Sequence, residues 1–380
     1  MYCRFVVLAC VLPSVVAVSP LRAQSWFDRD RSFGVQVEND SFGKNGSDSA
    51  YTQGLRLAWD FDVWPNWIDA AFPIASLTFR KNAVNACDPR TARSLRPCGV
   101  SRLAFGQTMY TPPIITIAAL QPTARPYAGY LFGTLGGTML FERAAVTSEL
   151  TLGLLGQGAL ARETQSLAHW TWAEGSAQPL GWHNQLRNSW QLTLRNSYSV
   201  AAVEYCHNTC TGEAREERIF DIIPTGELVT GTLMRRASVG GTARLGWGFP
   251  DLLTAQRIPT TKGASAPDGS GLSPSARALG DIRRGWRSAW IMVFVGGDAR
   301  LVQHNAMLSG GWRDTGPRGW QTVRQIEAER YVPETTYGLG VGVGRANVSW
   351  QRVTRASEYR PNGGTHRFSA FSISIFSPTR

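Results

Sequence analysis

Four polar residues in the first half of the chain have side chains that could carry acid–base chemistry or bind a ligand. His169 is a natural general base, because imidazole accepts a proton near neutral pH. Asn39, Asp40 and Thr52 add an amide, a carboxylate and a hydroxyl, which can bind a substrate, an oxyanion or a hard cation. A single histidine is more often structural, and Asn and Asp favour solvated turns, so residue type alone leaves both interpretations open.

The elements around these residues predict where they lie. Asn39 and Asp40 end a predicted strand over residues 33–38, and Thr52 begins the next one. Because the end of one hairpin strand lies beside the start of the next, we expect the three side chains to converge at one rim of a sheet. His169 lies within residues 160–182, a stretch without alternation that could hold a short helix.

Alternation of apolar and polar residues recurs along the chain and predicts the fold class. It indicates an all-β protein, a transmembrane antiparallel β-barrel of the outer-membrane type with about a dozen strands. In the clearest strand, over residues 55–62, one set should face lipid and the other the interior. These sets are Leu55, Leu57, Trp59 and Phe61 on one side, and Arg56, Asp60 and Asp62 on the other.

Further strands are predicted towards the C-terminus, over residues 323–332, 337–349 and 350–359. The last one, over residues 367–376, alternates up to the aromatic Phe376, as the final strands of outer-membrane barrels commonly do. Residues 259–275, rich in Gly, Ser, Pro and Ala, are predicted to be a loop.

Composition and charge agree with a barrel. The chain has 39 Gly, 14 Trp and 10 Tyr but only 18% charged residues, and such aromatics suit the girdles at the two membrane interfaces. Its net charge of +11 favours an anionic partner. Since the chain is expected to be exported, we predict phosphorylated lipid rather than nucleic acid as that partner, and a monomeric barrel.

The N-terminus predicts export. A basic start, an apolar run over residues 5–18 and the small residue Ala23 together indicate a signal peptide over residues 1–23. Residues 24–380 would then form a single barrel domain. The four cysteines after the signal peptide fall in two local pairs, Cys87 with Cys98 and Cys206 with Cys210. In an oxidising compartment each pair could form a disulfide. A zinc site is the less favoured alternative.

Four motifs, in this order, resemble those of the outer-membrane lipid A 3′-O-deacylase family. They are Glu38-Asn39-Asp40-Ser41-Phe42 with Tyr51-Thr52-Gln53-Gly54, Gly106-Gln107 with Tyr110-Thr111-Pro112, Arg125-Pro126-Tyr127-Ala128-Gly129, and Gln165-Ser166-Leu167-Ala168-His169 with Pro179-Leu180-Gly181-Trp182. The resemblance spans residues 33 to about 188. Ser166 stands where the family pattern has Asn, and Ile114–Ala119 is apolar where a polar loop lining the site would be expected.

The resemblance implies a twelve-stranded barrel and a Ca²⁺-dependent esterase that removes the 3′-linked acyloxyacyl group of lipid A. It places His169 as the general base and Asn39, Asp40 and Thr52 at the other catalytic positions, with Asp40 and Asn39 holding the metal. Arg125, Tyr127 and Gln165 would bind the substrate, lipid A within lipopolysaccharide.

Two other functions fit a barrel of this kind. An outer-membrane phospholipase would need a serine nucleophile beside a histidine on the wall. A porin or a non-catalytic barrel would not need polar residues gathered at Asn39, Asp40, Thr52 and His169.

Overall fold

A computed structural model describes residues 31–40, 50–61, 85–86, 98–141, 143–171, 177–207, 218–249, 289–311, 325–344 and 346–377. The predicted signal peptide and the predicted loop over residues 259–275 lie outside these ranges. Cys206 is disulfide-bonded, and the cysteines at positions 87 and 210 are also outside the described residues.

Twelve antiparallel strands form a closed barrel, in agreement with the predicted fold class. Every strand pairs with its neighbours in the chain, and β12 pairs with β1 to close the sheet. The strands are β1 (Arg31–Asn39), β2 (Ala50–Phe61), β3 (Cys98–Thr111), β4 (Ala128–Leu140), β5 (Ala144–Leu155), β6 (Ser189–Val200), β7 (Arg218–Gly231), β8 (Met234–Trp247), β9 (Trp290–Asn305), β10 (Glu334–Val343), β11 (Ala346–Arg355) and β12 (His366–Ser377).

Short paired strand segments lie at the two ends of the barrel. Asn85–Ala86 pairs with the start of β3, Val203–Cys206 pairs with β7, and Glu327–Ala328 pairs with Tyr359–Arg360. The helix Ala161–Thr171, called α1, lies between β5 and β6. In the described part of the chain, no helix is long and apolar enough to span a bilayer.

Two predicted strands require correction. The segment over residues 337–349 contains a hairpin, because Gly344 adopts a positive φ of 58° between β10 and β11. The segment over residues 323–332 is not a barrel strand. Within its described part, Glu327–Ala328 pairs with Tyr359–Arg360, and only residues near Tyr331 continue along β9.

We call the end of the barrel where Asn39 and Thr52 lie the site rim, and the end where β1 begins and β12 finishes the terminal rim. Along β2, Arg56 and Asp60 are buried inside the barrel, while Leu55 on the other face is 40% exposed. The predicted division into an interior and an exterior face is confirmed for residues 55–60, while Asp62 lies outside the described residues.

Alternating charges fill the barrel interior. A continuous series of ion pairs crosses from β2 to β8, with N–O distances of 2.6–3.3 Å: Asp60–Arg102, Arg102–Glu149, Glu149–Arg195, Arg195–Glu227 and Glu227–Arg236. Removing one partner of such a buried pair costs about 3–5 kcal/mol, because the other charge is left uncompensated. At this level the interior is packed with side chains rather than open to water.

An apolar groove of about 1000 Å³ crosses the outer wall between β5 and β9. Tyr198, Leu228 and Val239 line its sides, and Gly226 and Ala299 contribute to its floor. None of the predicted site residues lines this groove, so it is separate from the candidate site.

Candidate functional site

A row of polar residues interrupts the apolar outer wall at the site rim. On β1, Val35 and Val37 alternate with the buried Gln36 and Glu38, so Asn39 belongs to the outward set. Asn39 pairs with Gln53 of β2. Gln53 lies on the same outward face of β2 as Leu55, Leu57 and Trp59. The polar row therefore lies where the apolar outer face of these strands ends.

Asp40 and Thr52 lie beside this row but on the buried side. Asp40 follows the last residue of β1 and is 7% exposed. Thr52 occupies an irregularity in the pairing of β2 with β3, between Tyr51 and Gln53. Its Oγ1 lies 2.7 Å from Oγ1 of Thr111, and both side chains are buried. Such bulges often redirect a side chain next to a functional site.

The connection between β5 and β6 carries His169 on helix α1, outside the wall. Gln107, an outward residue of β3, donates a 2.6 Å hydrogen bond from Nε2 to the carbonyl oxygen of Ala159. Gly156 N donates to Gly129 O at 2.8 Å. A Cβ at Gly129 would lie 2.5 Å from the Cβ of Ala161, so only glycine lets the helix approach β4 this closely.

One face of α1 is turned towards the protein. Ala161, Gln165 and His169 are buried at a spacing of four residues, whereas Leu167 and Trp170 on the other face are exposed. At 1.5 Å per residue, His169 lies about 12 Å along the helix axis from Ala161. The predicted base thus sits at the end of a helix that is fixed to the outer wall at its other end.

Gln165 is held by Trp182. Its Oε1 accepts a 2.7 Å hydrogen bond from Nε1 of Trp182, which orients the side-chain amide. No described residue accepts a hydrogen bond from Gln165 Nε2, although the side chain is 1% exposed. A buried donor one helical turn before His169 is suited to binding an oxygen atom of a substrate.

Tyr127 belongs to the support of α1. Its ring packs against Trp182 with centroids 4.9 Å apart, and its hydroxyl donates to the carbonyl oxygen of Ile115 at 3.1 Å. Met109, Ala161 and Trp182 complete this buried cluster. The predicted role of Tyr127 in substrate binding stays a prediction; in the structure the side chain joins two rim loops.

Arg125 is fully buried and joins distant parts of the site rim. Its Nη1 lies 3.1 Å from Oε2 of Glu358, and its guanidinium stacks over the ring of Tyr110 at 3.8 Å. Burial by itself raises the pKa of Glu358, but the guanidinium groups of Arg355 and Arg125 outweigh it and lower that pKa to about 2. The substrate role predicted for Arg125 also stays a prediction, since its side chain is enclosed in this contact.

Asp40 and Asn39 offer oxygen atoms to a metal ion. Within the described ranges, no three His, Cys, Asp or Glu side chains lie close enough to hold a metal ion. The donors at this point are a carboxylate, an amide oxygen and the hydroxyl of Thr52, all of which are hard oxygen ligands that suit Ca²⁺. Backbone carbonyls and water would have to complete its shell of 6–8 oxygens.

Exposed apolar side chains lie on the two connections that meet at the site rim. Ile114 and Ile117 of the β3–β4 connection are exposed, as are Leu180 and Trp170 of the β5–β6 connection. Leu180 N donates to Ile115 O at 2.9 Å, which brings the two connections together. The apolar segment Ile114–Ala119 therefore lies against the connection that carries His169 and exposes apolar side chains there.

Asn39, Asp40 and Thr52 lie at one rim, as the sequence predicts, although Asn39 is on the outer face and the other two are on the buried side. Gln53, Gln107 and Thr111 belong to the motifs quoted above but were given no role; Gln53 and Gln107 occupy outward positions of strands whose other outward residues are mainly apolar, a signal that alternation could have revealed. The contacts of Thr111 and Glu358 could not be predicted from local periodicity, because they join residues 59 and 233 positions apart.

Comparisons with known proteins were made for the sequence and for the fold. The structure of LpxR from Salmonella typhimurium matches with a TM-score of 0.62 and 18% identity, covering 91% of this chain and 100% of that one. The Bordetella autotransporter BrkA β domain matches with a TM-score of 0.38 and 9% identity over 91% of this chain and 98% of that one, too low to carry an argument. No curated protein matches in sequence.

The family comparison covers nearly the whole chain. The model of the family described as outer membrane protein LpxR matches residues 6–376. The Salmonella structure agrees with it in fold. The chain therefore belongs to the outer membrane protein LpxR family, and its barrel lies in the outer membrane.

Proposed function

We propose that this protein is a hydrolase that removes the 3′-linked acyloxyacyl group of lipid A. The observation that carries the proposal is the position of the polar residues. Asn39, Gln53 and Gln107 lie on the lipid-facing side of the wall, and the helix with His169 is fixed to that same side. Polar groups on this face would meet a lipid in the membrane directly, whereas groups inside the barrel would not.

The residues divide into a base and groups that hold the substrate. His169 would take a proton from water as the water oxygen attacks the ester carbonyl carbon. The bond from that carbon to the sugar oxygen then breaks, and the proton passes from His169 to the leaving alkoxide. The products are a free acyloxyacyl acid and a sugar hydroxyl. Asn39, Thr52 and Nε2 of Gln165, which has no acceptor among the described residues, would donate hydrogen bonds to substrate oxygens.

Asp40 and Asn39 are the proposed holders of Ca²⁺. The oxygen-only donor set supports a hard cation rather than zinc. When bound, such a cation supplies positive charge where the tetrahedral oxyanion develops. The residues of the chain do the rest by holding the ester beside His169.

The surroundings favour a lipid substrate. Ile114, Ile117, Trp170 and Leu180 expose apolar surface next to the polar groups, as an acyl chain would require. The outer wall below them carries further exposed apolar residues, including Leu55 and Phe105. An ester with long acyl chains can lie along this surface without leaving the membrane.

The porin alternative is disfavoured by the barrel interior. The interior side chains of the ion-pair series from Asp60 to Arg236 are buried, whereas the lining of a pore would be exposed to water. The phospholipase alternative has less support than lipid A, because Ser166, the serine of α1, is exposed whereas His169 is buried, and because the chain belongs to the LpxR family.

The proposal is tested with purified barrel in detergent micelles. Lipid A should release an acyloxyacyl acid, detected by mass spectrometry, while phospholipid vesicles of phosphatidylethanolamine and phosphatidylglycerol should release no fatty acid. Release from phospholipid alone would favour the phospholipase. Ion conductance in planar bilayers without any hydrolysis would favour the porin.

A further inference from the structure

Two arginines lie on the lipid-facing wall beside Asn39. Arg352 of β11 alternates with the buried Gln351 and Val353, so it belongs to the outward set. Arg367 of β12 alternates with the buried Phe368 and is exposed. Most strand arginines with a described side chain point into the barrel and pair with carboxylates there, which makes these two unusual.

The closure of the barrel brings this pair next to the candidate site. Arg352 pairs with Ser369, and Ser369 pairs with Asn39 of β1. Two strand spacings of about 4.8 Å therefore separate the backbones of Arg352 and Asn39. Nη1 of Arg352 donates to Oγ of Ser369 at 3.1 Å, so the guanidinium leans towards Asn39.

The two arginines are neighbours on the same face of the sheet. Thr354 pairs with Arg367, which makes Arg352 and Arg367 diagonal neighbours whose backbones lie about 7 Å apart. No described carboxylate forms an ion pair with either of them. Like charges this close repel, and at the edge of a hydrocarbon phase the repulsion is weakly screened, so an anion between them would be strongly favoured.

We propose that Arg352 and Arg367 bind a phosphate group of the lipid substrate. This inference rests on the proposed function and adds the group by which the substrate is recognised. Guanidinium binds phosphate through two parallel hydrogen bonds, so two neighbouring guanidinium groups can hold one phosphate between them. A phosphate held here would fix the sugar so that an ester on the same or the neighbouring ring reaches Asn39 and His169.

The test compares lipid A with lipid A from which the phosphates have been removed. The variant R352Q/R367Q is measured beside R235Q, because Arg235 is also an exposed outward arginine at the site rim but lies on β8, across the barrel. The wild type should bind and cleave the phosphorylated form about tenfold to a hundredfold better, the gain expected from charge-assisted hydrogen bonds. R352Q/R367Q should lose most of that preference, and R352K should keep part of it.

Activity on dephosphorylated lipid A should stay within about twofold of the wild type in R352Q/R367Q, which also shows that the variant is folded. An equal loss on both substrates, or the same loss in R235Q, would overturn the inference while leaving the esterase intact. Binding of both lipids is measured separately by fluorescence. If the wild type binds phosphorylated lipid A preferentially but cleaves neither form, the phosphate site stands and the proposed esterase does not.

Discussion

Thr52 and Thr111 share a hydrogen bond of 2.7 Å between their Oγ1 atoms, across the irregular pairing at the ends of β2 and β3. The pair is buried and lies directly beneath the row that begins at Asn39. Either hydroxyl can be the donor, and in both cases the contact holds the Oγ1 atom of Thr52 in place. Thr111 is therefore a positioning residue for Thr52.

Replacing Thr52 with Val should lower the rate of lipid A hydrolysis about tenfold or more, since the hydroxyl is lost at nearly constant shape. T52S should keep most of the activity because it retains the hydroxyl. T111V should have a smaller effect than T52V, because it removes only the partner that orients Thr52. Initial rates on purified lipopolysaccharide decide the order, and equal rates in T52V and the wild type would exclude Thr52 from the site.

Gln165 and Trp182 should act as a coupled pair. W182F removes the donor to Gln165 Oε1, and Q165L removes both that acceptor and Nε2, which has no acceptor within the described ranges. Hydrogen exchange of α1 should show a coupling of about 1 kcal/mol between the two changes. Activity should fall further in Q165L than in W182F, because only Q165L removes a proposed substrate donor. Equal losses of activity would mean that Gln165 only supports the helix.

The contact between Arg125 and Glu358 predicts that the connections at the site rim lose stability in acid. The pKa of Glu358 is lowered to about 2, so the stabilisation is fully present above its ordinary value near 4.5 and is lost as the pH falls towards 2. Hydrogen exchange of the connections over residues 112–127 and 356–365 should accelerate in this interval. E358Q should exchange faster at neutral pH and show little change between pH 4.5 and 2. The same acid profile in both proteins would contradict the assignment.

Chelation tests the proposed cation. Excess EGTA should abolish hydrolysis by the purified barrel in detergent, and added Ca²⁺ should restore it, whereas Mg²⁺ should not, because Mg²⁺ demands a smaller octahedral shell. D40N should need a higher Ca²⁺ concentration for half-maximal activity. Full activity of the wild type in EGTA would show that Asp40 and Asn39 hold no essential metal.

Much of the architecture follows from local pattern, and much of the site does not. Alternation assigned Leu55 and Arg56 to opposite faces, and its absence around His169 allowed for the helix α1. The contacts of Arg125 with Glu358 and of Ser369 with Asn39 depend on which strands meet when the barrel closes. That register is set by the whole sheet and not by the residues near either partner.

The segment over residues 323–332 illustrates the same limit. Its alternation suggested a strand, but a rim segment can satisfy its backbone from several neighbours. Glu329 N donates to Glu358 O, and Val332 N donates to Arg300 O, so the segment is divided between another rim loop and β9. Periodicity predicts which side chains share a face of a segment, but it does not predict the hydrogen-bond partners of the segment's backbone.

The most direct test of the central claim is the mass spectrum of lipid A from a Gram-negative host that expresses this chain, H169A or H183A. His183 is an exposed histidine of the same β5–β6 connection and serves as the matched control. The wild type and H183A should give lipid A lighter by a 3′-acyloxyacyl group, and H169A should leave it intact or reduce the reaction about 10²–10⁴-fold. Unchanged lipid A with a folded, surface-located wild-type barrel, or equal product from H169A, would contradict the account.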